Sequence, residues 1–470
     1  MSLIKSISGI RGTIGEITGD NLTPIDIVNF TAAYSNVLRK KKREKKIRQR
    51  ICVVIGRDAR ASGEMINKLV SGTLISMGIN VIDIGLSTTP TVEMEVIFQK
   101  ADGGIIITAS HNPAHWNGLK LLNEKGEFLS ASDAELVLQL VEKERFPFVK
   151  PTRLGTFTAI ENKKSIERHI KAITCLDLVD VAAIKKAKFD IVIDCVNSTG
   201  GIAVVELLKA LGVYHILCLN CEPNGKFDHN PEPLPQHLTK LSEHVKKGYD
   251  MGFAVDPDVD RLAIVKENGD MFGEEYTLVA VADYVLQHTK GNTVSNLSSS
   301  QALKVISEQH NVQYYTSAVG EVNVVEMMKK INAVIGGEGN GGVIYPELHY
   351  GRDALVGIAL FLSYLAKNAL TPSQLREKYP DFHISKNKIE LDENLDTDKL
   401  FSFIKEQYIN HTIVDIDGIR IDFENQWVHL RKSNTEPILR IYAESATEIK
   451  ADNLAQQIIG NIRNYIEQRL

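Results

Sequence analysis

Short apolar runs alternate with helix-length amphipathic segments through most of this chain, and that alternation restricts its fold more than any other feature. Ile51-Cys52-Val53-Val54-Ile55-Gly56 reads as a buried strand, Gly63 to Met77 as a helix, and Val81-Ile82-Asp83-Ile84-Gly85 as the next strand. A second unit opens at Phe189-Asp190-Ile191-Val192-Ile193-Asp194 and continues in the helical stretch Ile202 to Leu211. A third runs from Gly273 through the helical Thr277 to Gln287 to Ala333-Val334-Ile335-Gly336. Strands separated in this way predict consecutive α/β units with mixed or parallel sheets. The last hundred residues differ. The strand-like Ile413 to Ile416, Gly418 to Phe423, Trp427 to Leu430 and Ile438 to Ala443 precede one long helix, Ile449 to Gln468. Strands clustered before a helix suggest a small α+β domain. At 470 residues the chain exceeds one ordinary core. The reading is therefore α/β, in four domains spanning 1–150, 151–268, 269–372 and 373–470.

A net charge of −5 argues against bulk nucleic-acid binding. The one basic run, Arg39-Lys40-Lys41-Lys42-Arg43 through Lys45-Lys46 to Arg48 and Arg50, contains no aromatic residue for base stacking. It falls between a helix expected over Thr23 to Leu38 and the strand Ile51 to Ile55, and reads as a solvated connection. The N-terminus shows no signal-peptide core, and no apolar run is long enough to span a bilayer. Five cysteines, spread from Cys52 to Cys221 without a disulfide framework, suit a reducing cytoplasm. Cys218-Leu219-Asn220-Cys221 has redox spacing but runs into the turn Glu222-Pro223-Asn224-Gly225 rather than opening a helix, so it reads as two small residues ending a strand.

Four loops carry the chemistry. Thr108-Ala109-Ser110-His111-Asn112-Pro113 follows the apolar Gly104-Ile105-Ile106-Ile107, so a strand end delivers a hydroxyl and an imidazole together. Ligands of α/β proteins bind at such strand ends, which makes Ser110 a candidate nucleophile. Asp256-Pro257-Asp258-Val259-Asp260-Arg261 follows Met251 to Val255. In an extended segment its three carboxylates share one face, and their mutual repulsion calls for a cation; all-oxygen ligation suits Mg²⁺. An EF-hand would also begin Asp-x-Asp-x-Asp, but Arg261 stands where that loop needs glycine. An aspartyl phosphatase of the haloacid dehalogenase type would carry Thr or Val in place of Asp260. Arg261 adds a fixed positive charge suited to a phosphoryl group.

The third loop is Gly336-Gly337-Glu338-Gly339-Asn340-Gly341-Gly342, whose glycines allow close backbone approach while Glu338 and Asn340 offer partners for hydroxyls. The fourth is Arg431-Lys432-Ser433-Asn434-Thr435-Glu436-Pro437, in which a guanidinium, two hydroxyls, an amide and backbone N–H groups can cradle a phosphate.

With these loops and Gly9-Ile10-Arg11-Gly12 in the same order, the chain resembles the α-D-phosphohexomutase superfamily over essentially its whole length. That group includes phosphoglucomutase/phosphomannomutase and phosphoglucosamine mutase. The resemblance implies four domains around a central cleft, three of them related α/β units with mixed sheets and the fourth a mobile phosphate-binding α+β domain. It implies an isomerase that interconverts hexose 6-phosphate and hexose 1-phosphate through a phosphoserine at Ser110 and a bound 1,6-bisphosphate. Mg²⁺ would be held by Asp256, Asp258, Asp260 and the phosphorylated Ser110, with hexose 1,6-bisphosphate as activator. Lys120, in His115-Trp116-Asn117-Gly118-Leu119-Lys120, matches the family lysine implicated in proton transfer. His111 and Arg261 would assist charge and proton handling, and Arg11 would line the cleft. Glu338 and Asn340 would read sugar hydroxyls, while Arg431, Ser433, Asn434 and Thr435 would hold the non-reacting phosphate. The last domain would close on a hinge near Thr371-Pro372. The implied partner is a sugar phosphate, with no nucleic acid and no membrane; a homodimer is the candidate assembly.

The chain departs from the family pattern in places. Bacterial sugar loops commonly read Gly-Glu-x-Ser-Gly-His, whereas Asn340 and Gly342 replace the serine and histidine here, as in archaeal members. Acid/base work at that histidine would fall instead to Lys120 and His111. Ser433-Asn434-Thr435 resembles the phosphomannomutase/phosphoglucomutase type, and Gly9-Ile10-Arg11-Gly12 the phosphoglucosamine type. Glucosamine phosphate is placed ahead of glucose or mannose phosphate as substrate. An aspartyl-type sugar phosphatase and a non-catalytic sugar-phosphate binder are the alternatives from other classes.

Overall fold

A computed structural model describes residues 2–6, 9–46, 49–143, 146–391, 396–433 and 438–467. The first sheet contains β1 (Ile4–Ser6), β2 (Gly9–Thr13), β3 (Cys52–Arg57), β4 (Asn80–Leu86), β5 (Gly103–Ile107), β6 (Trp116–Leu122) and β7 (Phe157–Ala159), in the order β1-β2-β6-β5-β3-β4-β7. Its interior shows why the apolar runs form strands. Val53, Ile55, Ile105 and Ile107 pack on one face against the helices Pro24–Glu44 and Gly63–Ser76. Val54, Ile84 and Ile106 pack on the other against Val92 and Val96 of the helix Thr89–Phe98. Successive side chains point to opposite faces, and helices cover both, so the runs are apolar throughout.

The second sheet comprises β8 (Asp190–Asp194), β9 (His215–Leu219), β10 (Met251–Val255) and β11 (Leu262–Lys266), ordered β11-β10-β8-β9. The third comprises β12 (Thr293–Asn296), β13 (Tyr314–Ser317), β14 (Ile335–Glu338) and β15 (Gly342–Ile344), ordered β13-β12-β14-β15. The three sheets repeat one device that residue identity along the chain does not reveal. In each, a strand of the parallel set turns back into an antiparallel partner: β5 into β6, β10 into β11, β14 into β15. The serine loop, the aspartate loop and the glycine loop are those three turns. The last sheet is fully antiparallel: β16 (His383–Glu390), β17 (Thr412–Val414), β18 (Ile419–Asp422), β19 (Trp427–Lys432) and β20 (Ile438–Ser445), ordered β16-β20-β19-β18-β17. The helices Thr397–Gln407 and Glu448–Glu467 pack on it.

The second and third units share one hydrophobic core, in which Phe253 and Phe272 meet Phe361 edge to face. The last unit keeps a separate core. Its link to the third unit is polar: Arg420 donates to the Leu297 carbonyl at 2.6 Å, Ser298 Oγ meets His429 Nδ1 at 2.8 Å, and the Gln301 N–H donates to Glu444 at 3.0 Å.

Several expectations shift. Residues 151–159 carry β7, which pairs with β4, so a division at 150/151 cuts the first sheet. Thr371-Pro372 is no hinge: Thr371 caps the helix Pro372–Arg376, whose Leu375, with Tyr379 beyond it, is buried in the shared core, because the apolar face there has a partner. The chain leaves the third unit near Phe382, where its N–H donates to Tyr276. The strand β16 and the helix Thr397–Gln407 went unread. The first helix continues to Glu44, six residues beyond the expected end, and the basic run keeps Lys40, Arg43, Lys45, Lys46 and Arg50 exposed, as a solvated connection requires. Lys42 is buried against Asp102 at 2.7 Å, and Lys41 and Lys45 reach Asp133 and Glu124. These three lysines pair with carboxylates of their own unit.

Candidate active site

The serine loop is held from behind. Ser110 adopts a left-handed backbone, φ 49°, which places its Oγ against the aspartate loop instead of along the strand. Arg60, 1% exposed, spans the loop's inner side. Its Nη2 donates to the carbonyls of Ser110 and Asn112, both at 2.6 Å, and its Nη1 to those of Pro113 and Trp116 at 2.5 and 2.9 Å. Nε is paired with Asp58 at 3.0 Å, and Phe227 of the second unit covers the guanidinium face. Four hydrogen bonds from one planar fork, anchored by a fifth to Asp58, fix a loop that has few of its own.

The aspartate loop is a turn, not an extended strand end. The Val259 N–H donates to the Asp256 carbonyl at 3.1 Å and Val259 has φ 63°, a costly conformation for a β-branched residue. This turn, rather than strand alternation, brings the carboxylates of Asp256, Asp258 and Asp260 together, with ligand atoms within 4.8 Å of one another and all three residues fully buried. Ser110 Oγ donates to Asp256 Oδ2 at 2.8 Å, which joins the two loops. Asp258 accepts from Thr89 and Lys120, both at 2.6 Å. Asp260 accepts from Lys120 at 3.0 Å and Arg352 at 2.8 Å.

The electrostatics are those of an incompletely neutralised anion cluster. Burial, then the two neighbouring carboxylates, push Asp256 well above the usual range. Burial acts the same way on Asp260, but Arg352, Lys120 and Arg261 outweigh it and hold it low. For Lys120 burial favours the neutral amine, and Asp258 and Asp260 more than reverse that, keeping it a firm cation. Asp258 Oδ1 and Asp260 Oδ1 are buried with no hydrogen-bond donor. Hard oxygen ligands with unused lone pairs in a charged pocket fit a divalent cation such as Mg²⁺.

The remaining residues surround this centre. His111 Nδ1 lies 3.3 Å from Ser110 Oγ; burial, Arg261 and Arg11 keep its ring neutral well below the usual histidine range. Arg11, on β2, donates to Asn112 at 3.1 Å. Burial, Arg261 and Arg440 all weaken its proton affinity, so three guanidiniums share one region without enough anions. Arg261 meets Glu232 at 3.4 Å and Asp260 at 4.0 Å. Arg440, on β20, lies directly across the strand pair from Arg431 on β19. Arg431 also stands 3.8 Å from Asp417. Like charges directly opposite on paired strands are unfavourable unless an anion joins them. Ser433 is buried at the end of β19; Asn434 and Thr435 lie outside the described residues.

Glu338 is committed more fully than the sequence suggests. One oxygen accepts from Asn296 at 2.9 Å and the Gly320 N–H at 3.1 Å, and the other from Arg352 at 2.9 Å. Asn340 is half-buried beside it, with Oδ1 3.3 Å from the Gly342 N–H. At Gly342 a Cβ would meet Arg352 Cδ at 2.3 Å, so the residue that departs from the family histidine makes room for this arginine. Arg352, which also binds Glu321 at 3.0 Å, joins the glycine loop to Asp260. Sequence reasoning missed Arg352, Arg60, Thr89 and Arg440. Arg352-Asp353 after a glycine was the available signal, but nothing local marks its partners.

Comparison with known proteins identifies the family. The domain families described as phosphoglucomutase/phosphomannomutase α/β/α domains I, II and III match residues 4–148, 167–269 and 273–382, and the C-terminal domain of the same family matches 387–460. The phosphoglucomutase/phosphomannomutase of Thermococcus kodakarensis is 34% identical over 448 residues, 94% of either chain. A phosphoglucosamine/phosphogalactosamine mutase of Sulfurisphaera tokodaii is 30% identical over 97% of this chain and 98% of its own. The crystal structure of a phosphoglucomutase/phosphomannomutase family protein from Burkholderia thailandensis superposes with a TM-score of 0.82 at 22% identity, covering 98% and 97% of the two chains. The chain therefore belongs to the phosphoglucomutase/phosphomannomutase family of the α-D-phosphohexomutase superfamily, and it is an isomerase, a phosphohexomutase.

Proposed function

We propose that this phosphohexomutase interconverts hexose 6-phosphate and hexose 1-phosphate through phosphorylated Ser110 and a bound 1,6-bisphosphate, with glucosamine phosphate preferred. The observation that carries the reading is the 2.8 Å hydrogen bond from Ser110 Oγ to Asp256, which sets a strand-end hydroxyl beside an oxygen-ligand cluster. In the first step a free hydroxyl of the sugar monophosphate attacks the phosphoryl group on Ser110. The new P–O bond forms, the Oγ–P bond breaks, the attacking hydroxyl gives its proton to a base, and the departing Ser110 Oγ takes up a proton to become the free hydroxyl. The second step runs the same transfer backwards from the other end of the reoriented sugar.

The neutral imidazole of His111, 3.3 Å from Oγ, suits the proton-accepting part. Lys120 enters as a cation paired with Asp258 and Asp260, suited to donating a proton or offsetting developing charge. Asp256, Asp258, Asp260 and the phosphoserine would hold Mg²⁺, which when bound supplies charge stabilisation to the transferring phosphoryl group. Arg11, Arg261, Arg431 and Arg440 suit a phosphate at either end of the substrate, since guanidiniums grip the group common to both orientations. Asn340 is the freer sugar-reading residue, because both oxygens of Glu338 are engaged. The polar contact between the last two units suits closure that excludes water from the phosphoserine. Hexose 1,6-bisphosphate would act as activator by phosphorylating Ser110.

A coupled assay on glucosamine 6-phosphate, glucose 1-phosphate and mannose 1-phosphate, compared by kcat/KM, tests the reading. Glucosamine phosphate is expected to lead, Ser110→Ala to lose turnover with all three, and chelation to abolish it. Label recovered on Asp256 with release of free phosphate would point to a phosphatase. No turnover of any substrate by Ser110-phosphorylated, Mg²⁺-loaded enzyme would overturn the proposal. A lead for glucose or mannose phosphate, the substrates in the name of the Thermococcus relative, would overturn the preference alone.

A further inference from the structure

One turn along the helix that supplies Thr89 to Asp258 lies a second buried cluster that the reaction does not use. His169, on the helix Asn162–Thr174, and His349 both direct Nε2 at one oxygen, Asp353 Oδ2, at 3.0 and 3.3 Å. All three side chains are buried, and their ligand atoms lie within 4.8 Å of one another. The other oxygen of Asp353 caps the helix Ala354–Asn368, accepting from the N–H groups of Leu355 and Val356 at 2.8 and 3.3 Å. That cap turns Oδ2 towards the imidazoles and keeps it there.

Each ring is also steered from its far side. His169 Nδ1 stands 3.0 Å from Thr91 Oγ1, and His349 Nδ1 stands 3.4 Å from Glu93 Oε2. Glu93 is 1% exposed, and neither of its oxygens has a hydrogen-bond partner. Only a glycine at 351 leaves it room, since a Cβ there would meet Oε2 at 2.0 Å. A buried carboxylate without donors is expensive unless positive charge stands close by.

We propose that His169, His349 and Asp353 form a second metal site, for a borderline divalent cation such as Zn²⁺, with Glu93 and Thr91 orienting its two histidines. Nearest-atom separations of 3.0 and 3.3 Å approach the edge of a tetrahedron with bonds of about 2.0–2.1 Å, which is roughly 3.3 Å. Both rings offer Nε2; His169 Nδ1 meets the Thr91 hydroxyl, a contact of the kind that fixes a ligating histidine's tautomer, while His349 Nδ1 lies 3.4 Å from Glu93 Oε2 without a hydrogen bond between them. Two imidazoles among three ligands select Zn²⁺ over Mg²⁺, which separates this site from the all-oxygen aspartate cluster. A water would complete four-coordination. The ligands come from the second and third units and their supporting residues from the first, so the metal ties three units together. It also sits one residue from Arg352, which it would hold against Asp260.

The test uses the full-length chain stripped of metal, saturated with Mg²⁺ and titrated with Co²⁺. Expected is the strong visible absorption of four-coordinate Co²⁺, complete at one equivalent, retained by Asp256→Asn and lost by His349→Gln. Glu93→Gln should weaken Zn²⁺ binding by about 10–100-fold. A pale six-coordinate spectrum, or a band lost in Asp256→Asn and kept in His349→Gln, would overturn the site and leave a hydrogen-bonded His-Asp-His chain. Should His349→Gln fail to fold, X-ray absorption on the Zn²⁺-titrated wild-type chain decides. Two imidazoles in the metal's shell support the site, and an all-oxygen shell overturns it.

Discussion

Replacing Arg60 with lysine isolates what the serine loop owes to a single side chain. Lysine keeps the charge near Asp58, so the pair is not simply broken, but it offers three donors where Arg60 uses its fork for five bonds. At least two buried acceptors lose their donor, at about 1–3 kcal/mol each, giving a total of roughly 2–6 kcal/mol. The loss falls on loop 108–117, whose amide bonds Ser110 N–H to Thr108 Oγ1, Asn112 N–H to Ala109 and Trp116 N–H to Pro113 measure 2.9, 3.1 and 3.0 Å. Hydrogen exchange reads it there: at about 1.4 kcal/mol per decade, even 2 kcal/mol makes these amides exchange roughly 30-fold faster. Activity should fall through kcat, by about a hundredfold for a 1 Å misplacement of Oγ, with KM little changed, because every donor of Arg60 is spent inside the fold. An Arg60→Lys enzyme with wild-type exchange over 108–117 and wild-type kcat would refute the idea that this guanidinium aims the serine.

Two other perturbations follow from buried polar groups. Arg352→Met leaves Asp260, Glu321 and Glu338 without their common cation, at a cost of about 3–5 kcal/mol in thermal unfolding, and added Mg²⁺ should restore only the part due to Asp260. Burial lowers His429 to about 4, where it joins Ser298 to the Asp417 carbonyl in neutral form. An unfolded histidine titrates near 6.5, so stability is full above about pH 6.5 and is lost as pH falls towards 4, by roughly 3 kcal/mol; His429→Gln should flatten that slope in pH-dependent denaturation.

The proposed phosphate cradle shows how far residue types carry and where they stop. Arg431 and Ser433 were legible because a polar loop between two strands is a local pattern. Arg440 was not, since only the strand register sets it opposite Arg431. The aspartate triplet was legible for a partly mistaken reason. Three carboxylates at alternate positions do converge, yet a left-handed Val259 brings them together, not the pleat of a strand. The basic run was legible as solvated, but not the pairing of its Lys41, Lys42 and Lys45, because Asp133, Asp102 and Glu124 arrive from distant segments.

By itself the sequence determined most of the strand and helix alternation and the residue types that its loops carry, because periodicity and side-chain type act over a few neighbouring positions. The tertiary structure alone decided which of those groups meet. Arg60 and Ser110 are 50 residues apart, Arg352 and Asp260 are 92 apart, and His169 and Asp353 are 184 apart. Such contacts depend on how whole sheets and helices pack to bury their apolar faces, and no short stretch of chain encodes that geometry.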